Sequence, residues 1–296
     1  MRSIEHPGPV HEQRVQSIPT AVREAQIELP GGDSLLHGLT AAVRAEGASS
    51  AVFSLQGGSL APMAFFMPAL SKTPDHAVYF SDRFEAAGAA RLESGCITFG
   101  LRDGRPWLHC HAVWTESDGR RRCGHISPEE SRIDEPIRLS AWLIDGADFV
   151  VGADAETNFS LFQATAAPAG DEEPNALVVR VRPNEDLCTA LESVCHEHGI
   201  RHARVRGGVG SLVGAAFDDG RTVEPFVTEV FIREGVIAPG PDGSPRAQVD
   251  VSMVDHTGQM AEGRLTRGQN PVLVTFEIVL EETNDPGAQA ASRRTA

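Results

Sequence analysis

The sequence predicts an α+β fold of two repeated domains, each a mainly antiparallel or mixed sheet packed on one helix. Three observations predict it. Few segments carry helical spacing of apolar residues. Most of the chain is short alternating runs broken by glycine, which favours sheet over helix bundle. The helix, strand and glycine turn also occur twice, with Leu35-Leu-His-Gly-Leu39-Thr-Ala-Ala-Val43 answered 152 positions later by Leu187-Cys-Thr-Ala-Leu191-Glu-Ser-Val-Cys195.

Taken in order, the first copy has a helix from Asp33 to Val43, a strand Ala51–Leu55 and a glycine turn at Gly57-Gly58-Ser59-Leu60. The second copy repeats these as a helix from Glu185, a strand Ala203–Val205 and a turn at Gly207-Gly208-Val-Gly210. Each copy then reaches a hairpin. There the offset has fallen to 139 (Gly119 against Gly258), so the first copy holds 13 more residues between turn and hairpin. The extra length lies between Met63 and Leu92 and holds Phe65, Phe66, Tyr79, Phe80 and Phe84. It reads equally as a loop against a neighbouring subunit or as a wall over the hairpin face. A closing strand, Val272–Leu280, ends the second copy. Linker composition over Ala164–Pro174 sets the boundary, giving a first domain at 18–163, a linker at 164–175 and a second domain at 176–282. The tail 283–296 lacks apolar periodicity and is expected to be disordered, as is much of the first 18 residues.

The hairpin of the first copy carries the chemistry. It reads Trp107-Leu-His109-Cys-His111-Ala-Val-Trp-Thr-Glu-Ser-Asp-Gly119-Arg-Arg-Arg-Cys-Gly124-His125. His109 and His111 leave the same side of a strand. A three-residue turn Ser117-Asp118-Gly119, with glycine in the left-handed region, sets 116 against 120 and therefore 111 against 125. Lone strand histidines are ordinarily satisfied core or surface residues. Three on one face with no carboxylate between them would repel when protonated, but when neutral they can share a divalent cation. Three imidazoles with a fourth position open are the catalytic type of zinc site. Zinc, or another divalent transition metal, is thus the expected cofactor, with His109, His111 and His125 as ligands.

The 296 residues include 41 acidic and 26 basic side chains, a formal net charge of −15. Such a field repels phosphate backbones and makes a nucleic-acid partner unexpected. Arg120-Arg121-Arg122 is the one basic cluster; it reads as an anion patch near the metal or, preferably, as a solvated hairpin arm. Five cysteines without a CxxC pair, no basic-then-apolar leader and no long apolar run together predict a cytoplasmic protein with no membrane partner. Cys110 and Cys123 are expected on the face opposite the histidines, as buried apolar-like residues. His196, His198 and His202 read as a helix C-terminal cluster rather than ligands, and Gly104-Arg105-Pro106 as a tight turn.

The second copy, with Gly207-Gly-Val-Gly-Ser-Leu212, Glu229-Val-Phe-Ile-Arg-Glu-Gly235 and Asp250-Val-Ser-Met-Val-Asp255-His-Thr-Gly258, resembles the plant-and-prokaryote-conserved (PPC) domain family; the first copy resembles it through its hairpin. The resemblance implies an α+β domain assembling as a trimer, and therefore a homo-oligomer. Prokaryotic members bear a His-x-His then Gly-His metal cluster, which falls on His109, His111 and His125. Plant members attach the domain to DNA-gripping AT-hooks, and the family is often labelled DNA-binding. In the second copy the equivalents are Gln248, Asp250 and Arg264, so that site should hold no metal. The family's acidic residue is present as Glu229 but falls on Ala89 in the first copy, leaving the histidines without that carboxylate.

Two functions are expected from these residues. One is a metal-assisted enzyme, a hydrolase or lyase acting on a small anionic carbonyl-type ligand, with Tyr79, Glu116, Glu129 or Glu130 as candidate proton carriers. The alternative is a noncatalytic DNA-associated or ligand-sensing regulator, which would need a basic surface.

Overall fold

The computed structural model describes residues 2–283. Strand β1 (Val15–Leu29) leads into helix α1 (Leu35–Ala45) and β2 (Ser50–Gln56). Five short pieces come next: β3 (Ser59–Leu60), β4 (Ala64–Phe66), β5 (Pro68–Leu70), β6 (Val78–Phe80) and β7 (Phe84–Glu85). Long strands β8 (Ala90–Arg102), β9 (Arg105–Thr115), β10 (Arg121–Ile126), β11 (Ile137–Asp145), β12 (Ala147–Ala153) and β13 (Ser160–Ala166) complete the first half. The second half runs β14 (Ala176–Val181), α2 (Leu187–Glu197), β15 (Ala203–Ala216), β16 (Thr222–Pro239), β17 (Pro245–Asp255), β18 (Met260–Arg264) and β19 (Val272–Glu282).

Pairing is antiparallel except for a short parallel contact of β12 with β8. The fold is therefore sheet-rich, with two helices among the described residues, one in each half. The helices start where capping chemistry permits. Ser34 accepts the amide of His37 at 3.2 Å, and Asp186 accepts that of Thr189 at 2.9 Å. Each buries one apolar stripe, Leu35, Leu39 and Val43 or Leu187, Leu191 and Val194, in its own core.

Between the halves lies further apolar packing. Val52, Trp142, Phe149, Val178 and Val279 meet in one cluster, and Val113, Val209, Phe231 and Val254 in another. β1 stitches the halves together: Val15–Thr20 pair with β14, and Ala21–Leu29 pair with β11. Residues 164–166, expected to begin the linker, finish β13 against β12.

Two expectations are corrected. The glycines 207 and 208 do not end a strand but form a bulge inside β15, where the register shifts between Arg206 and Val209. Gly207, at φ +67°, has no room for a side chain, since a Cβ there would sit 2.7 Å from Cβ of Val52. The first residues are also held in place. Arg2 donates to the carbonyl of Val223 at 3.0 Å, the Ile4 amide donates to Asn184 Oδ1 at 2.8 Å, and buried His6 meets the carbonyl of Leu273 at 2.7 Å. Polar contacts rather than an apolar period anchor this segment, so hydropathy alone gave no sign of it. The tail expected to be disordered lies, from residue 284 on, outside the described residues.

Candidate metal centre

The hairpin forms in the expected register. Gly119 adopts φ +85°, the Glu116 amide meets the carbonyl of Arg120 at 2.8 Å, and His111 stands opposite His125. All three imidazoles therefore leave one face of β9 and β10. That face is covered by the second half of the chain, which adds two carboxylates: Glu229 from β16 and Glu277 from β19.

The nitrogens crowd together. His109 Nε2 lies 3.0 Å from His111 Nε2, which lies 3.3 Å from His125 Nδ1 and 2.8 Å from Glu229 Oε2. One donor atom from each of the four residues lies within 4.8 Å of the others. Tetrahedral ligands about 2.0–2.1 Å from an ion are separated by about 3.3 Å, so the spacing is close to that of a coordination shell.

The hydrogen bonds of the rings point the same way. His111 Nδ1 faces the carbonyl of Val230 at 2.9 Å. A carbonyl can only accept, so the ring carries its proton on Nδ1, and its Nε2 in the neutral form presents a lone pair to a carboxylate oxygen. His109 Nδ1 meets Glu277 Oε2 at 2.7 Å. A proton on that Nδ1 leaves Nε2 bare as well. Lone pairs converging from four directions repel unless a cation lies among them.

Electrostatics favour neutral imidazoles at His109 and His125 and a proton on His111 while no metal ion is bound. Burial, reinforced by the neighbouring His111, pushes His109 down to about 3. Burial and the other two rings hold His125 well below its ordinary value. For His111 burial acts against the charge, but Glu229 raises it overall. Burial raises Glu277 to about 8, against the pull of Arg180 and His111.

Beside the cluster lies a cavity of about 250 Å³ whose walls include Phe66, Phe80, Trp107, Phe159, His109 and His125. Phe66 and Phe80 come from the extra segment of the first half, with the Phe80 ring 5.1 Å from His125. Two aromatic side chains of that segment therefore wall the cavity.

Residues 170–284 match the Plants and Prokaryotes Conserved (PCC) domain. The second half of this chain is thus similar to the PCC domain over that stretch. Among solved structures the chain is similar to a plant- and prokaryote-conserved protein from Pyrococcus horikoshii, at 16% identity and TM-score 0.40, covering 49% of this chain and 94% of that one. It is also similar to a metal-containing protein from Archaeoglobus fulgidus, at 15% identity and TM-score 0.40, covering 55% and 99%. A third is a protein from Salmonella enterica, at 15% identity and TM-score 0.39, covering 51% and 99%. No curated protein matches the sequence.

The second half of the chain supplies the carboxylate that the sequence pattern left missing. Glu229, the acidic residue that the sequence placed in the second copy, lies 2.8 Å from His111 of the first half, so the cluster has a carboxylate. Glu277 was missed. Its signal was a lone charge in the apolar run Val272–Leu280, now 1% exposed. The other candidates are engaged elsewhere: Glu116 pairs with Arg122 at 2.8 Å and Glu130 with Arg83 at 2.6 Å, while Glu129 is exposed. Tyr79 is 49% exposed and stacks on Phe159. Arg120 and Arg121 likewise meet Asp118 and Glu93, which makes the arginine run a neutralised arm. Inside the second half, Asp250 and Arg264 stand opposite each other and pair at 2.9 Å, as expected for a site without histidines. His196, His198 and His202 stay outside the cluster. Gly104 is in a tight turn at φ +70°.

One placement is reversed. Cys110 faces the helix-side core, but Cys123, two residues before His125, shares the histidine face and packs with Val113 and Phe231. Alternation by two required this.

Proposed function

We propose that the chain is a metal-binding protein made of two copies of the PCC fold, with one divalent cation, zinc or a similar transition metal, held by His109, His111, His125 and Glu229. The observation that supports it is the convergence of four electron-pair donors whose outward nitrogens are tied to Val230 and Glu277. Three nitrogens and one oxygen suit zinc and its neighbours in the first transition row. A bound metal would supply Lewis-acid polarisation of a carbonyl oxygen. Because Glu229 fills the fourth position, an enzymatic role in hydrolysis or lysis of a small anionic carbonyl compound requires expansion to five ligands, which zinc tolerates. His109 and His125 line the cavity such a ligand would enter.

The net charge of −15 and the carboxylate partners of Arg120, Arg121 and Arg122 weigh against DNA binding. Elemental analysis of protein purified without chelator is expected to give about one metal ion per chain, dropping at least tenfold in His111→Ala and unchanged in Asp250→Asn. Wild-type protein that neither carries nor takes up a divalent ion would end this reading.

A further inference from the structure

The cavity beside the histidines is lined by a guanidinium that, among the described residues, has no carboxylate and no hydrogen-bond partner. We infer that Arg102 anchors the carboxylate of a small acid with a flat apolar body, seated against the aromatic wall and next to the metal. This deepens the metal-centre reading and rests on it.

Arg102 lies at the end of β8 and lines the cavity together with His109 and His125. It forms no ion pair and no hydrogen bond among the described residues; Asp103 and Glu129 act on it only at longer range. The arginines at the far end of the histidine hairpin, Arg120, Arg121 and Arg122, each touch a carboxylate. The Arg102 guanidinium carbon instead sits 3.9 Å from the centre of the Trp107 ring, which holds the group by its face and leaves its N–H edge for a ligand. Glu277, the carboxylate lining the same cavity, is occupied by His109.

The rest of the wall sets the body of the ligand. Phe66, Phe80, Phe159 and Trp107 line the cavity, so a planar apolar group fits better than a sugar or a polyol. At about 250 Å³ the space suits a small molecule. A planar, two-oxygen anion matches the guanidinium fork, and a carboxylate has that shape.

Calorimetric titration of the zinc-loaded full chain with phenylacetate, its uncharged isostere phenylacetamide, and acetate tests the assignment, with zinc content measured on the same samples. Phenylacetate is expected to bind roughly tenfold or more tighter than the amide, because a charge-assisted contact is at stake. It should also exceed acetate, which lacks the body. Arg102→Gln is expected to keep its zinc and lose the preference for acid over amide. A zinc-loaded wild type that treats acid and amide alike, acetate equal to phenylacetate, or an Arg102→Gln protein that keeps the preference would each overturn the inference while leaving the metal centre standing. A wild type that holds no zinc removes the metal reading and this inference with it.

Discussion

At the scale of single residues, two buried carboxylates do different work. Glu277 touches His109 rather than the proposed ion, and such outer partners fix ring orientation and tautomer. Glu277→Gln is therefore expected to lower zinc affinity about 10–100-fold while the histidines remain, as measured by competition with a chromophoric chelator. Asp154 is structural. It is almost fully buried between Arg180 and Arg182 at 2.7 and 2.6 Å, and it accepts the Thr157 amide at 3.1 Å. Burial opposes its charge, but the two guanidinium groups hold its carboxyl well below the usual range. Arg14 does the same for Glu156. Because the folded values are depressed, the stability these groups contribute is fully present above about pH 4, where the unfolded carboxyls ionise, and is lost as pH falls towards the folded values. Asp154→Asn keeps the turn but strands two buried cations. Urea unfolding at pH 7 should show a loss of about 3–5 kcal/mol, shrinking as the pH is lowered below 4.

At the scale of elements, the hairpin of β9 and β10 was legible because its face assignment depends on parity and on one glycine. Period two, an odd turn and Gly119 suffice to bring three imidazoles together. The bulge at Gly207 was not legible, since a glycine pair reads as a turn whether the strand ends there or kinks and continues. Nor was the pairing of β4 with β10, in which Phe66 stands opposite His125. That pairing rests on Gly124: a Cβ there would lie 2.8 Å from the carbonyl oxygen of Phe66 and 3.4 Å from the Trp114 ring. Backbone cannot yield as a flexible side chain does, so Gly124→Ala must move β4 away from β10. Its expected cost is about 1–3 kcal/mol in chemical denaturation, together with weaker zinc binding, because the wall over His125 moves with the strand. An alanine variant with wild-type stability and zinc affinity would show that the two strands are free to separate.

At the scale of the whole molecule, the centre belongs to neither half. The histidines come from one and the carboxylates from the other, and this explains why the sequence disclosed half of the site. Spacing within a hairpin is local information, whereas the approach of β16 and β19 to β9 depends on how two sheets pack. Val52 against Gly207, the interface around Phe231, and β1 running through both sheets fix that packing. A cation bound across this seam stabilises the native arrangement of both halves at once, because separating them scatters its ligands. Zinc free at about a hundred times its dissociation constant should add about 2.7 kcal/mol to unfolding. The gain should appear in one cooperative transition, seen alike by far-ultraviolet circular dichroism and tryptophan fluorescence, and a chelator should reverse it. Glu229→Gln, which removes the donor from the second half, should lose most of the gain while its metal-free transition changes little. Two separated transitions, with zinc shifting only the one that reports on the first half, would mean that the histidines hold the ion alone and that the seam is held by apolar packing without it.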